Sequence, residues 1–377
     1  MKLLLKDGTT IEGKSFGANR SVAGEVVFAT GMVGYPEAFT DPSYAGQILV
    51  CTYPLIGNYG VPSFAKASEG KPDASPFESR KIQIAGLVVS EYSEKYSHAT
   101  AKRSLADWLK KSGVPAMSGV DTRALTKRLR EHGVILGYLS STKYGHGVSI
   151  FKDPNQENLV ARVSIKKKKI YGKGRIKIIA VDCGMKENIV RSLLTRGATV
   201  IRVPWDYDFS KERYHGLLIS NGPGDPIMAE KTIEHIRAAM KENKPILGVC
   251  LGNQLLALAA GAKTYKLKYG HRSQNQPCID LIGRPSFAPP SRKASDGHSK
   301  ATKGRCYITS QNHGYAVDGK SLPAGWEEWF VNANDDSNEG MLHKTKPWRS
   351  VQFHPEASPG PTDTAWIFDE FIASLKK

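Results

Sequence analysis

Between Ile176 and Gly261 the sequence alternates short apolar runs with longer amphipathic ones, and this rhythm narrows the possible folds more than any other feature. Ile176-Lys-Ile-Ile-Ala-Val-Asp182 reads as a buried strand, 185–196 as a helix stopped at Gly197, and Thr199-Val-Ile-Arg-Val203 as a second strand. Gly216-Leu-Leu-Ile-Ser220 reads as a strand, 228–242 as a helix and 245–249 as a further strand. Strictly alternating strands and helices predict a doubly wound sheet with helices on both faces. Ligands of such sheets bind beyond the carboxyl ends of the strands. Side chains that follow strand ends are therefore the ones to search for chemistry.

Three stretches qualify. In Pro245-Ile-Leu-Gly-Val-Cys250-Leu-Gly-Asn-Gln254 an apolar run meets a cysteine and then an Ala/Leu-rich segment that ends at Gly261. This spells strand, sharp turn and short helix, with Cys250 at the helix N-terminus, where N–H groups and the dipole favour a thiolate or an oxyanion. Taken alone, the segment fits a buried strand-end cysteine equally well. Ser220-Asn-Gly-Pro-Gly-Asp-Pro226 gives a preset turn with bare backbone; a lone Gly-Pro-Gly also fits an ordinary loop. Trp348-Arg-Ser-Val-Gln-Phe-His354-Pro-Glu356 places a histidine after an apolar run, with a carboxylate two residues on. Cys250, His354 and Glu356 together supply nucleophile, base and orienting group.

The first ~150 residues mix strands and helices without the strict alternation. Lys2–Glu12 reads as a hairpin turning at Asp7-Gly8, 25–34, 47–54 and 82–89 as strands, 35–44 as a loop and 64–80 as a polar surface loop. Helices are expected over 100–112 and over Asp121–Gly133, the latter with an aspartate cap and a glycine stop. Apolar periodicity fades over 151–174, so we divide the chain into a domain at 1–150, a basic linker at 151–174 and a second domain at 175–377. Net charge is +17, with seven basic residues and no acid in 166–177 and five more against one aspartate in 284–303. Neither stretch carries a nucleic-acid module or aromatics spaced for base stacking, so they read as solvated linker and loop. Five scattered cysteines without a CxxC pair point to reduced thiols and a cytoplasmic location. Neither a signal peptide nor an apolar run of membrane-spanning length is expected.

The strand-end motifs together resemble the class I (triad) glutamine amidotransferases, whose elbow reads G-x-C-x-G-x-Q and whose base and orienter lie in H-P-E. Asp41-Pro-Ser-Tyr44, Tyr53-Pro-Leu-Ile-Gly-Asn58, Gly119-Val-Asp-Thr-Arg-Ala-Leu-Thr126 and Gln311-Asn-His-Gly-Tyr-Ala-Val317 narrow the resemblance. The whole chain, from residue 1 to about 375, is similar to the glutaminase (small) subunit of carbamoyl-phosphate synthetase. The resemblance implies an N-terminal mixed α/β domain followed by a doubly wound glutaminase domain. It implies Cys250 as nucleophile, His354 as general base and acid, Glu356 as its orienter, and backbone N–H groups of Gly224 and Leu251 as oxyanion hole. Ser43, Gly222, Gly224, Leu251, Gln254, Asn312, Gly314 and Tyr315 match positions that hold L-glutamine. His313 lies in that loop without matching the catalytic histidine, and the remaining cysteines read as structural thiols.

By the same resemblance, ammonia released at Cys250 passes through an internal tunnel to a synthetase partner, as a large subunit or a fused domain. There ATP, Mg2+ and bicarbonate would convert it to carbamoyl phosphate for pyrimidine or arginine biosynthesis. No cofactor, metal, nucleic acid or membrane is expected for this chain, which has no Walker-type GxxxxGK[ST]. Asn253 and Tyr315 stand where the family often has histidine and phenylalanine. The insertion at about 281–303, with 64–80, Val203-Pro-Trp-Asp206 and Gln274-Asn-Gln-Pro-Cys278, suggests the eukaryotic type, often fused to its synthetase. Two rivals are a free-standing γ-glutamyl hydrolase and a catalytically silent regulatory subunit of an ammonia-dependent synthetase.

Overall fold

In a computed structural model, which describes residues 1–63, 77–141, 151–283 and 304–376, the chain builds two large sheets. Most of the insertion at about 281–303 and most of the polar loop at 64–80 lie outside the described residues.

The C-terminal sheet has ten strands, with a parallel centre in the order Ala198–Pro204, Ile176–Asp182, Gly216–Ile219, Ile246–Val249 and Trp348–Val351. Alternate residues of these strands face opposite layers, as a pleated strand requires. Ile179, Val181, Leu217 and Ile219 pack with Ile233 and Ile236 of helix Glu230–Met240 and with Leu255 and Leu256 of helix Leu251–Ala260. Ile178, Ala180, Leu218 and Val249 pack with Ile189 and Leu193 of helix Glu187–Leu194 and with Phe368 and Phe371 of helix Trp366–Ser374. Helices thus cover both faces, the doubly wound arrangement the alternation predicts. Each fully buried aliphatic side chain contributes about 1.5–3 kcal/mol, and the strands are near-continuous in such residues.

Beyond the parallel centre the sheet continues antiparallel through Asn338–His343, Trp326–Asn332, Thr264–Asp280 and Cys306–Val317. The last two pair with each other; Cys306–Val317 carries the Gln311–Tyr315 segment, and Thr264–Asp280 accepts from Thr30 N and Val134 N of the N-terminal half at Arg272 O and Lys268 O. At the opposite edge Lys169–Tyr171 pairs with Ala198–Pro204. The stretch read as a linker therefore supplies an edge strand and buries Leu159 and Val160, while its lysines 166–169 stay exposed.

The N-terminal sheet has eight strands and is mixed: Val22–Ala29, Gln47–Ile56, Gly86–Tyr92 and Ala116–Ser118 run parallel, and Lys2–Leu5, Thr10–Glu12 and Ile135–Ser140 extend it antiparallel. Two expectations differ. Residues 35–44 are not a loop but a helix, Tyr35–Thr40, followed by a 3-10 turn, Pro42–Tyr44. Pro36 presets the first turn, and Phe39 is fully buried. At the end of the polar loop Phe77 and Glu78 are buried rather than superficial. No helix among the described residues is long and apolar enough to cross a membrane.

Candidate active site

Cys250 stands between strand Ile246–Val249 and helix Leu251–Ala260 with φ 54 and ψ −105, outside the favoured regions for a side chain. Such conformations cost roughly 1–3 kcal/mol and persist where the surroundings impose them. The surroundings here are the two flanking glycines. A Cβ on Gly248 would lie 2.5 Å from the Gly252 carbonyl oxygen, and one on Gly252 would lie 2.2 Å from that of Ile219. The helix therefore sits directly on the sheet, and the turn has no slack. Cys250 is buried, its N–H donates to Val351 O at 2.8 Å, and its Sγ lies 3.7 Å from both Asn312 O and Gln352 Nε2. Leu251 is the first residue of the helix, so its N–H has no intrahelical acceptor.

His354 and Glu356 follow the neighbouring strand Trp348–Val351. His354 Nδ1 lies 2.6 Å from Glu356 Oε1, which keeps a proton on Nδ1 whether or not Nε2 carries one. Nε2 makes no hydrogen bond to a described residue, yet it faces Cys250 closely enough to feel its charge. Burial alone would lower the imidazole's proton affinity; the charges of Glu356 and Cys250 reverse this and hold it above its ordinary value. Burial likewise opposes ionisation of Glu356, but Lys186 and His354 outweigh it and hold the carboxyl at about 2.

Lys186 is the functional residue that the sequence reading passed over. It is buried after strand Ile176–Asp182, its Nζ lies 3.2 Å from Glu356 Oε1 and also donates to Ala357 O. Asn188 Nδ2 donates to Glu356 O. The N-terminal half reaches the same point: Glu78 accepts from Asn188 N at 3.0 Å and pairs with Arg191 at 2.7 Å. Burial pushes the Glu78 carboxyl up to about 7, against the pull of Lys186 and Arg191.

One cleft gathers most of the residues expected to hold a ligand. Ser43, Gly222, Gly224, Gln254, Asn312, Gly314 and Tyr315 line it together with Cys250. His354 instead lines a second cavity that shares Asn312 with the cleft, and Leu251, which is buried, is not part of the cleft lining. Asp41, a second residue not singled out, ties the wall together. Its carboxylate accepts from Ser43 N at 2.9 Å and Asn312 Nδ2 at 2.9 Å, while Asn221 Nδ2 donates to Ser43 Oγ at 2.9 Å. Gln254 Nε2 donates to Tyr315 O at 2.8 Å and to Gln352 Oε1 at 3.1 Å. Asn253 is fully buried and takes the Ser350 hydroxyl at 2.7 Å, a packing position. Lys266 Nζ pairs with Glu25 Oε1 at 2.6 Å in the cleft lining, and the cleft holds about 20 Å³.

His271, His313 and Glu339 bring potential ligand atoms within 4.8 Å of one another. They form a hydrogen-bonded cluster: His271 holds Asp335 at 2.9 Å and Glu339 at 3.3 Å, and His313 sits between Tyr315 O at 2.9 Å and Gln311 Oε1 at 3.0 Å. Burial works against charging His271, but the two carboxylates raise it to about 9; burial keeps His313 neutral, well below its ordinary value. Cys51, Cys183 and Cys278 are buried free thiols, and Cys306 is exposed.

Residues 179–374 match the model of the family "Glutamine amidotransferase class-I", and residues 3–139 match "Carbamoyl-phosphate synthase small chain, CPSase domain". The chain is 51% identical over 406 residues to "Multifunctional protein pyr-3" of Neurospora crassa, covering 100% of this chain and 21% of that protein. It is 49% identical over 380 residues to "Carbamoyl phosphate synthase arginine-specific small chain" of Neosartorya fischeri, covering 99% of this chain and 79% of that one. It is 48% identical over 379 residues to "Carbamoyl-phosphate synthase [ammonia], mitochondrial" of Aquarana catesbeiana, covering 100% of this chain and 24% of that one. The chain thus spans about a fifth of the length of the multifunctional relatives it matches.

Proposed function

The chain belongs to the carbamoyl-phosphate synthase small-chain family, and from that premise we propose that it hydrolyses L-glutamine to glutamate and supplies the ammonia to a carbamoyl-phosphate synthetase partner. The observation that carries the reading is the His354 Nδ1–Glu356 contact of 2.6 Å, with Nε2 left open toward Cys250. The Cys250 thiolate attacks the side-chain amide carbon, and the N–H groups of Gly224 and Leu251 receive the developing oxyanion. His354 gives its Nε2 proton to the leaving nitrogen, and ammonia departs as the γ-glutamyl thioester forms. His354 then takes a proton from water, which attacks the thioester; glutamate leaves and the thiolate returns. Glu356 keeps the imidazole in one tautomer, and Lys186 keeps Glu356 ionised.

Ammonia has a route of its own. The cavity lined by His354, Lys186 and Asn312 holds about 60 Å³, and its lining also includes Met32 and Val33 of the N-terminal half, which are 67% and 62% exposed and would form its mouth. The partner would take ammonia at that mouth, as a separate subunit or as a fused domain, and would carry ATP, Mg2+ and bicarbonate. Free thiols fit a reducing, cytoplasmic setting. A silent regulatory subunit would have no use for the strained Cys250 turn. The test is glutamine turnover by the chain with and without its synthetase: weak turnover alone, raised by the partner, is expected. Absence of turnover in both conditions would end the glutaminase reading, and full turnover without any partner would favour a free-standing hydrolase.

A further inference from the structure

Cys250 and its neighbours account for the amide end of glutamine; the other end carries a carboxylate and an ammonium on one carbon. Arg272, on strand Thr264–Asp280, lines the same cleft as Cys250, Asn312 and Gly314 and is only 4% exposed. Its Nη1 donates to Tyr269 O at 2.7 Å, its Nε has no hydrogen-bond partner, and it makes no ion pair among the described residues. The cleft carboxylate that could neutralise it is engaged: Glu25 receives Lys266 at 2.6 Å, Asn155 at 3.2 Å and Gln47 at 3.2 Å. Asp41, next to the wall, is taken by Ser43 N and Asn312. Glu25 and the Cys250 thiolate favour its charge from a distance, but no described carboxylate contacts it; a buried guanidinium with an unfilled donor is costly, and an arriving anion would fill it.

Its Nη2 is 3.2 Å from where a Cβ on Gly314 would stand, and Gly314 lines the cleft together with Cys250. The planar fork of N–H donors matches a carboxylate in two-point geometry, which an ammonium head would not. We propose that Arg272 is the substrate-binding residue that receives the α-carboxylate, and that it selects free amino acids over amides lacking that group. This inference rests on the glutamine-hydrolysis reading.

The test uses the chain with its synthetase partner and three substrates: L-glutamine, glutaramate (carboxylate but no ammonium) and 4-aminobutanamide (ammonium but no carboxylate). In Arg272→Gln the ratio of kcat/KM for glutaramate to that for 4-aminobutanamide falls roughly 10- to 100-fold, the range for a lost charged hydrogen bond, chiefly through KM. Arg272→Lys, which keeps the charge and loses the fork, falls between the two and serves if Arg272→Gln fails to fold. An unchanged ratio, with all three substrates losing equally, would overturn the inference and leave Arg272 a support of the thiol or of the fold. If the wild type hydrolyses none of the three, the glutaminase reading fails separately. Calorimetric titration with glutaramate then decides the role of Arg272: tighter binding by wild type than by Arg272→Lys supports it, and equal or no binding overturns it.

Discussion

Replacing Lys186 by methionine removes a cation while keeping most of the side chain's apolar bulk. Glu356 is held at about 2 instead of its ordinary 4.5, a difference worth about 3 kcal/mol at ~1.4 kcal/mol per pH unit. Burial opposes this; of the effects that lower it the charge of Lys186 comes first, followed by the charge and the hydrogen bond of His354. Lys186→Met should therefore cost about 2 kcal/mol at pH 7; this is below the 3–5 kcal/mol typical of breaking a buried pair, because His354 remains. The sign is that of a depressed carboxyl: the stability is fully present above about 4.5 and is lost as pH falls toward about 2. With Lys186 gone the folded value rises, so acid unfolding begins at a higher pH. Urea unfolding followed by tryptophan fluorescence reports on this half, because Trp326, Trp329, Trp348 and Trp366 surround its sheet. A double-mutant cycle with Glu356→Gln should give a coupling of about 2 kcal/mol, and kcat for glutamine should fall more than KM rises. A coupling under about 0.5 kcal/mol, within the usual error of additivity, or an unmoved acid limb, would refute the reasoning.

Gly252→Ala should destabilise by at least about 3 kcal/mol, since its Cβ would meet Ile219 O at 2.2 Å; a thermal melt matching the parent would show that helix and sheet are not in contact there. Asp41→Asn loosens the wall formed by Ser43 and Asn312 and should raise KM for glutamine about tenfold with a smaller change in kcat; steady-state kinetics checks this. His271, raised from 6.5 to about 9, contributes stability that is complete below pH 6.5 and is lost as pH rises through about 9. Allowing for solvent at the half-exposed Asp335, His271→Asn should remove about 1–2 kcal/mol of that pH dependence, read as a flatter melting-temperature profile between pH 6 and 10.

Much of this architecture is legible in the residues themselves. The helix-and-strand alternation from Ile176 to Gly261 reports a buried parallel sheet because such strands need apolar residues on both faces. The Gly248–Cys250–Gly252 spacing reports an elbow because no side chain fits at either flank. Lys186 is different: in Cys183-Gly-Met-Lys-Glu187 it reads as an ordinary charged helix start. Its burial arises only when Glu356, about 170 residues later, folds beside it. Asp41 and Glu78 escape for the same reason, since their partners Asn312 and Arg191 lie in the other sheet's half of the chain. The Tyr35–Thr40 helix and the Pro42–Tyr44 turn are hidden by Pro36 and Pro42, since proline marks turns as readily as first helical turns. The long Thr264–Asp280 strand has no apolar alternation to report it, because Arg272 lines the cleft while His271, on the other face, is buried against Glu339 and Asp335.

The central claim is a covalent one: glutamine's acyl group resides on Cys250 before water releases it. Rapid acid quench of the enzyme with L-glutamine, followed by peptide mass spectrometry, examines it directly. The account predicts a γ-glutamyl thioester on the peptide that contains Cys250, with neither adduct nor ammonia release in Cys250→Ser. Ammonia release that persists in Cys250→Ser, or an adduct on a different residue, would contradict it.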